Sequence, residues 1–336
     1  MWVDDLEKIA PIKIMEDSRV SVIVEPATEE EFRDVVNLVR GRGLKAHVVG
    51  TRQNHVGEKV SADVYLSTLR YTGVLESSIG DLYAIVRSGT PFRELLEVLR
   101  REGLWIPFVH EGSVGGFASL NLPFHFSLFH GYPRDWLLGA RVLTGLGEVI
   151  KTGSKTPKFS SGYKIWKAMS GALGRLGVYL DVIVRVIPLP EEIFPAEIKP
   201  EQINDAILRG AVGVTVYKKE NEQMIAWFLG HSSYVKRVTK DYRQVEVPEC
   251  SGERVYSIIS TRGLERESVK EVKAECIVSY YGSGYSRVYN GEDMDKLRER
   301  GLKVLGEKGC EVECLPKPTQ SFLRLKSALD PEGIFV

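Results

Sequence analysis

Apolar residues recur with two different periods in the first part of the chain. Between residues 21 and 50, two apolar runs enclose a segment whose apolar positions have helical spacing. Thr28 and Glu31 have the spacing of a capping box, and Gly41 and Gly43 follow the last apolar position. The pattern predicts a strand, an amphipathic helix and a second strand. The apolar positions of the helix are Phe32, Val35, Val36 and Val39.

A similar pattern covers residues 82–108. It predicts a strand, a helix that begins at Pro91 with Leu95, Leu96 and Leu99 on its apolar face, and a strand after Gly103. Farther along, residues 134–153 read as a β-hairpin that turns at two glycines. Residues 163–192 then predict a short helix, a glycine-rich loop and a long strand. The hairpin turn contains Gly145 and Gly147.

Two prolines after this strand, Pro188 and Pro190, mark the predicted domain boundary. We expect an N-terminal segment over 1–15, one domain over 16–190 and a second over 191–336. In the second, short half-alternating strands are separated by charged stretches, among them a helix predicted across 293–308. This pattern is typical of an antiparallel sheet backed by helices. The predicted fold class is therefore α+β, with a smaller C-terminal α+β domain.

The composition narrows the choice of partners. The chain has 336 residues, with 45 basic and 45 acidic side chains, so net charge gives no general attraction for nucleic acid or an anionic membrane. Apolar runs are too short for a membrane span, and the first residues are acidic, unlike a signal peptide. We therefore predict a cytoplasmic protein with no direct membrane insertion and no nucleic-acid partner.

Four cysteines lie in the C-terminal third, and none forms a C-x-x-C pair. Cys310 and Cys314 fall on one face of a predicted strand, where small buried side chains are the simplest interpretation. No metal site is predicted, because no histidine or further cysteine completes a ligand set nearby.

Two loops that follow predicted strands are rich in small residues and backbone donors. The first covers 50–55 and the second covers 112–116. Where side chains are small, successive main-chain N–H groups can converge on an anion such as a pyrophosphate. Neither loop matches the P-loop or the dinucleotide-binding G-x-G-x-x-G pattern, which argues against a P-loop nucleotidase and a Rossmann dehydrogenase.

Four short motifs follow in a fixed order: GG-x-A-x-x-N, G-x-x-R-D-x-x-L-G, T-G-x-G-E-V and G-x-x-G-x-L-G-V. Together they resemble the two-lobed FAD-binding domain of the p-cresol methylhydroxylase (PCMH) type, in the vanillyl-alcohol oxidase superfamily. The greatest likeness is to the FAD-binding E subunits of glycolate oxidases. The residues that carry it are Gly115, Gly116, Ala118, Asn121, Gly131, Arg134, Asp135, Leu138, Gly139, Thr144, Gly145, Gly147, Glu148, Val149, Gly171, Gly174, Leu176, Gly177 and Val178.

The resemblance implies that both loops line the pyrophosphate of a non-covalently bound FAD. The first loop departs from the family's glycine-rich pattern, because side chains follow Gly50. Either Arg52 supplies charge to the phosphates, or this loop binds FAD weakly or not at all. A covalent flavin link at His55 is not expected. The implied FAD-binding residues are Gly50, Thr51, Arg52, Gln53, Asn54, Gly112, Ser113, Val114, Gly115, Gly116, Asn121, Arg134, Asp135, Gly174, Gly177 and Val178.

Candidate catalytic residues are few. The histidines His110, His125 and His130 flank the second loop, and we take His110 and His130 as acid–base candidates, with packing as the alternative. His231 is the single histidine of the C-terminal domain, so a three-histidine metal site cannot form there. A tyrosine cluster could cover the flavin or a partner, or serve packing. Its members are Tyr280, Tyr281, Tyr285 and Tyr289.

The resemblance therefore implies an FAD-dependent oxidoreductase subunit of a 2-hydroxy-acid dehydrogenase complex of the glycolate or lactate type. Electrons would pass to a non-NAD acceptor, and another flavin subunit and an iron–sulfur subunit would be partners. Membrane association through such partners is a further expectation. Two alternatives remain: a structural partner that kept the fold but lost FAD, and a stand-alone flavin oxidase.

Overall fold

The computed structural model describes residues 2–15, 21–51, 60–156, 162–310 and 315–336. Within these residues the chain forms a four-stranded, a five-stranded and an eight-stranded sheet, with a two-stranded ribbon. The first two sheets are the two lobes of the N-terminal part, and the third is antiparallel. This arrangement confirms the predicted α+β class.

The first lobe is the predicted strand–helix–strand unit with three added elements. Its sheet has the order β1-β2-β4-β3, with β4 parallel to both neighbours and β1 antiparallel to β2. The Thr28 Oγ1 accepts from the Glu31 N–H at 3.2 Å, which confirms the predicted N-cap. Gly50 directly follows the third strand. The elements are α1 (Trp2–Glu7), β1 (Ile12–Met15), β2 (Ser21–Val24), α2 (Glu29–Gly41), β3 (Ala46–Val49) and β4 (Val64–Ser67).

The second lobe is an antiparallel sheet in the order β5-β6-β10-β8-β9, with helices on one face. The predicted hairpin is confirmed, since β8 pairs with β9. The strand predicted after Gly103 is only two residues long. The elements are β5 (Val74–Ser78), β6 (Tyr83–Arg87), α3 (Phe92–Arg101), β7 (Leu104–Trp105), α4 (Val114–Leu120), α5 (Ser127–His130), α6 (Pro133–Trp136), β8 (Leu137–Leu143), β9 (Val149–Gly153), α7 (Ile165–Met169), β10 (Val178–Arg185) and β11 (Ile187–Pro188).

The third sheet has the order β15-β12-β14-β13-β17-β18-β16-β19. The helix predicted across 293–308 was wrong in its second half. It ends at Glu299, Gly301 takes φ +81°, and the chain continues as a strand. The elements are β12 (Glu192–Ile198), α8 (Ile203–Leu208), β13 (Gly213–Lys218), β14 (Glu222–Gly230), α9 (Ser232–Val238), β15 (Arg243–Gln244), β16 (Val255–Ile259), α10 (Glu265–Ser268), β17 (Cys276–Tyr280), β18 (Tyr285–Tyr289), α11 (Met294–Glu299), β19 (Lys303–Lys308) and α12 (Gln320–Leu329).

The end of the chain returns to the N-terminal lobes. Leu329 of α12 is buried in the core of the second lobe, and Ile334 and Phe335 are buried in the core of the first. A parallel bridge joins Phe335 to Ala46 at the start of β3. The division at residue 190 stays a prediction, and these last residues pack with the N-terminal lobes.

The three cysteines among the described residues are disulfide-bonded. A disulfide joins Cys250 to Cys276, a link of 26 residues that the sequence analysis did not predict. Cys310 is buried, as expected, but is also disulfide-bonded rather than a free thiol. Cys314 lies outside the described residues.

Candidate functional site

Two loops and one glycine segment enclose a cavity, here called the loop cavity, between the two N-terminal lobes. Several predicted residues line it: Gly50, Ser113, Gly115, Gly116, Gly174 and Gly177. The other lining residues were not predicted, and they come from β3, from α4, from the neighbourhood of Gly174 and from segments near Thr68 and Ser88. These are His47, Val48, Val49, Thr68, Ser88, Ser119, Leu120, Leu173 and Tyr179.

Glycine is required where these segments meet. A Cβ on Gly50 would lie 2.6 Å from Ser113 Oγ, and one on Gly115 would lie 3.0 Å from the Cβ of Ser88. Gly174 has φ +77°, a conformation that favours glycine. The two loops therefore touch, and side chains larger than hydrogen would separate them.

Three backbone N–H groups of the second loop donate hydrogen bonds within the protein. The Val114 N–H donates to Thr90 O at 2.9 Å, the Gly115 N–H to Ser88 O at 2.7 Å, and the Gly116 N–H to Ser113 Oγ at 3.2 Å. The first two hold α4 against the segment that follows β6, and the third caps α4, so these donors bond within the protein rather than aim at an anion. The buried Ser88 Oγ, which lines the cavity, has no hydrogen-bond partner among the described residues.

Other predicted cofactor residues are not among those that line the loop cavity. Asn121 ends α4 with φ +56° and accepts from the Arg134 N–H at 2.9 Å, and Asp135 accepts from the Tyr132 N–H at 3.1 Å. These contacts fix the turn after α4. Val178 is buried in the first-lobe core.

The first loop is described only at its start. Thr51 lies beside the second loop, since its Oγ1 is 3.3 Å from the position of a Cβ on Gly112. Arg52, Gln53 and Asn54, predicted to contact the pyrophosphate, lie outside the described residues.

A second cavity, here called the tyrosine pocket, adjoins the first, because Leu120 lines both. One side comes from the loops around α4, and the other from the third sheet. Three of the four clustered tyrosines lie here, and Tyr281 does not. The lining residues are Val109, His110, Glu111, Phe117, Leu120, Leu122, Pro123, Phe124, His125, Tyr217, Val247, Pro248, Cys250, Val278, Tyr280, Tyr285, Arg287 and Tyr289.

Arg287 is the cation of the tyrosine pocket. Its Nη2 lies 2.6 Å from Oε2 of Glu307, whose side chain is fully buried. Glu307 also accepts from Tyr285 OH at 2.9 Å and from Ser257 Oγ. Burial lowers the pKa of the guanidinium, but Glu307 and nearby tyrosines outweigh it, so the pKa lies above its ordinary value. The Nε of Arg287 is buried without a partner in the part of the chain described.

The three candidate histidines lie in different surroundings. His110 lines the tyrosine pocket, and its Nε2 is buried, unpartnered among the described residues, and 2.6 Å from a Cβ position on Gly112. Burial, and then the charge of Arg287, lower its pKa to about 4. His125 also lines the pocket and stacks on Trp227 at 4.5 Å. His130 lines neither cavity and packs edge-on against Trp136.

The sequence analysis missed Arg287, although a signal was present. Residues at alternate positions of a strand share one face, so Tyr285, Arg287 and Tyr289 point to the same side of β18. A charged residue between two tyrosines on one face of a strand predicts a polar cavity rather than a packed core. The prediction for the tyrosine cluster did not include Arg287, which lies between Tyr285 and Tyr289 on the same strand.

Residues 20–153 match the family described as "FAD binding domain". This part of the chain is similar to FAD-binding domains, and the match confirms the resemblance to the PCMH-type family. The matched residues and the glycine segment that follows them supply the lining of the loop cavity and half of the lining of the tyrosine pocket.

Curated relatives extend the likeness. A D-lactate dehydrogenase of Anaerostipes hadrus is 28% identical over 195 residues, covering 56% of this chain and 41% of the relative. The glycolate oxidase subunit GlcE of Escherichia coli is 28% identical over 125 residues, covering 36% of each. The chain thus spans less than half the length of these relatives.

The whole fold also has a solved counterpart. An alkyldihydroxyacetonephosphate synthase structure superposes with a TM-score of 0.65 and covers 95% of this chain and 77% of its own, at 16% identity. The likeness therefore extends beyond the FAD-binding domain into the third sheet. At this identity it shows the fold alone.

The residues present fit FAD. The loop cavity has a glycine surface and an unpartnered Ser88 hydroxyl, and the adjoining tyrosine pocket has an unpartnered imidazole and aromatic walls. Among the described residues, no helix meets the length and hydropathy needed to cross a membrane. The same residues contain no group of three or more histidine, cysteine, aspartate or glutamate side chains placed to hold a metal.

Proposed function

We propose that this chain is the FAD-binding subunit of a 2-hydroxy-acid dehydrogenase complex of the glycolate or lactate type, an FAD-dependent oxidoreductase that passes electrons to an acceptor other than NAD. The FAD-binding domain and relatives named D-lactate dehydrogenase and glycolate oxidase subunit support this. Its partners would be a second flavin subunit and an iron–sulfur subunit. We place the complex in the cytoplasm, with partner subunits able to attach it to a membrane.

The observation that carries the proposal is the buried cation in the pocket beside the loop cavity. Arg287 lines this aromatic pocket, and its buried Nε has no hydrogen-bond partner among the described residues. A carboxylate beside it would gain a charge-assisted hydrogen bond. Burial raises the pKa of Tyr280, so this residue keeps its phenolic proton and can donate. A small carboxylate with an adjacent hydroxyl matches this set of groups.

Bound FAD would supply the hydride acceptor. The chain's own residues would orient the acid and handle its proton. Arg287 would hold the carboxylate, and His110 would take the proton of the hydroxyl group, because its lowered pKa keeps the imidazole neutral at pH 7. The aromatic walls of the tyrosine pocket would exclude water from the reacting atoms.

Anaerobic flavin reduction tests this function. The FAD-loaded chain, alone and co-expressed with its native partner subunits, would be mixed with glycolate, D-lactate or D-2-hydroxyglutarate, and the flavin absorption followed. We expect one of these acids to bleach the flavin, and the reduced protein to pass electrons to a dye but not to NAD. Bound FAD that stays oxidised with every acid, in the complex as well, would refute the proposal.

The second candidate is a structural partner that kept the fold and lost the cofactor. One observation favours it: the N–H groups of Val114, Gly115 and Gly116 are engaged within the protein. FAD titration separates the two functions. A colourless protein whose intrinsic fluorescence and melting temperature do not change with added FAD supports the structural role. A yellow protein, or one that FAD stabilises, contradicts it.

A further inference from the structure

The disulfide between Cys250 and Cys276 lies beside the tyrosine pocket. Cys276 is the first residue of β17 and is almost fully buried, whereas Cys250 is half-buried in the segment between β15 and β16. In the sheet register, Cys276 is opposite Tyr289, which lines the pocket. The disulfide therefore joins a pocket-lining segment to the sheet that carries Arg287.

This disulfide separates two cavities. Cys250 lines the tyrosine pocket on the inside and also an open cleft on the outside, and Cys276 lines that cleft as well. We call this open cleft, which is lined by both cysteines, the outer cleft. Its other lining residues include Pro248 and Tyr217, which also border the tyrosine pocket. Cys250, Pro248 and Tyr217 therefore border both spaces.

A third disulfide-bonded cysteine, Cys310, gives a contrast. Cys310 is buried among apolar residues of the third sheet, including Tyr256 and Ile258, and lines none of the three cavities. Structural disulfides resist reduction, whereas strained or exposed disulfides are the labile or catalytic ones. The position of Cys250 at two cavities is that of an accessible disulfide.

We propose that Cys250 and Cys276 form a second redox centre, which takes two electrons from the reduced flavin and delivers them at the outer cleft. This inference rests on the proposed function, since it needs a reduced flavin in the tyrosine pocket. The S–S bond breaks and each sulfur gains one electron and one proton, so two thiols form and the flavin returns to its oxidised state. The dithiol is then reoxidised by exchange with a disulfide of the electron acceptor.

Thiol labelling tests the proposal directly. The FAD-loaded chain is reduced anaerobically by light with EDTA, without added thiols, then alkylated, digested and analysed by mass spectrometry. We expect alkylated Cys250 and Cys276 in the FAD-loaded protein and no alkylation of Cys310. FAD-free protein treated in the same way should keep both disulfides. The Cys310 peptide is thus an internal control within each sample.

A second measurement uses electron counting. The wild-type holoprotein should take up twice as many electrons per flavin as the paired variant Cys250→Ser/Cys276→Ser, whereas Cys310→Ser should match the wild type. A fully reduced flavin with Cys250 and Cys276 still unlabelled overturns the proposal, even if the paired variant fails to fold. A chain that binds no FAD instead refutes the proposed function, so the two failures are distinguishable.

Discussion

The carboxylate of Glu307 holds the guanidinium of Arg287 at 2.6 Å, on a strand face that lines the tyrosine pocket. Glu307 is fully buried and its Oε1 is also hydrogen-bonded to Tyr285. Because one nitrogen of Arg287 is fixed by this contact, its unpartnered Nε has a defined direction. The pair is therefore both a packing element and a means of orienting one cation in a cavity.

Removing only the arginine should destabilise the protein. Arg287→Met leaves the carboxylate of Glu307 buried without its counter-charge, which costs about 3–5 kcal/mol in comparable sites. Adding Glu307→Gln removes that charge and should recover most of the loss. Urea unfolding of both variants measures the difference. An equal free energy of unfolding for Arg287→Met and wild type would show that the pair does not act as a buried ion pair.

The paired variant Arg287→Met/Glu307→Gln also tests binding. We expect it to retain FAD but to bind oxalate, a small dicarboxylate without an oxidisable hydroxyl, about 10- to 100-fold more weakly, because a charge-assisted hydrogen bond is lost. The perturbation of the flavin spectrum by oxalate gives the affinity. Arg243→Met/Glu197→Gln is the matched control, since this ion pair is exposed and lies outside the tyrosine pocket. Equal oxalate affinity in the two paired variants would refute the role of Arg287.

Gly115→Ala should weaken FAD binding. The new Cβ would lie 3.0 Å from Ser88 Cβ and 3.1 Å from Ser88 O, so α4 must move from β6 at the edge of the loop cavity. Overpacking of this kind costs about 1–3 kcal/mol, and we expect roughly a tenfold higher Kd for FAD. Fluorescence titration measures it. Gly41→Ala is the control, because its Cβ would meet nothing within 4 Å. Identical FAD affinities for the two variants would contradict the close fit.

Local patterns in the sequence were sufficient to predict the main elements of the two N-terminal lobes. The capping residues Thr28 and Glu31, the apolar face of α2 and the hairpin at Gly147 depend on contacts within a few residues. The order of the glycine motifs then gave the family. The loop cavity could be predicted only in part. Gly50, Ser113 and Gly174, which were predicted to bind FAD, line this one cavity, and their role in binding stays a prediction.

The tyrosine pocket could not be assembled in the same way. It joins residues from positions 109 to 289, and no local pattern specifies which strands of the third sheet are neighbours. The pairing of Cys250 with Cys276 could not be predicted for the same reason, because it depends on how the segment after β15 folds back onto the sheet. The engaged amides of the second loop were also unpredictable, since their acceptors, Thr90 and Ser88, belong to another segment.

Acid should destabilise the protein through its buried histidines. Burial lowers the pKa to about 4 for His110 and His130 and to about 3 for His125, whereas an unfolded histidine titrates near pH 6.5. Between these values the unfolded state binds protons that the native state does not, so the free energy of unfolding is retained above about pH 6.5 and falls towards pH 4. In the FAD-free protein, urea unfolding between about pH 7 and pH 5 should show a shallower fall for His110→Asn than for the exposed control His231→Asn. The same slope in both would contradict a neutral, buried His110.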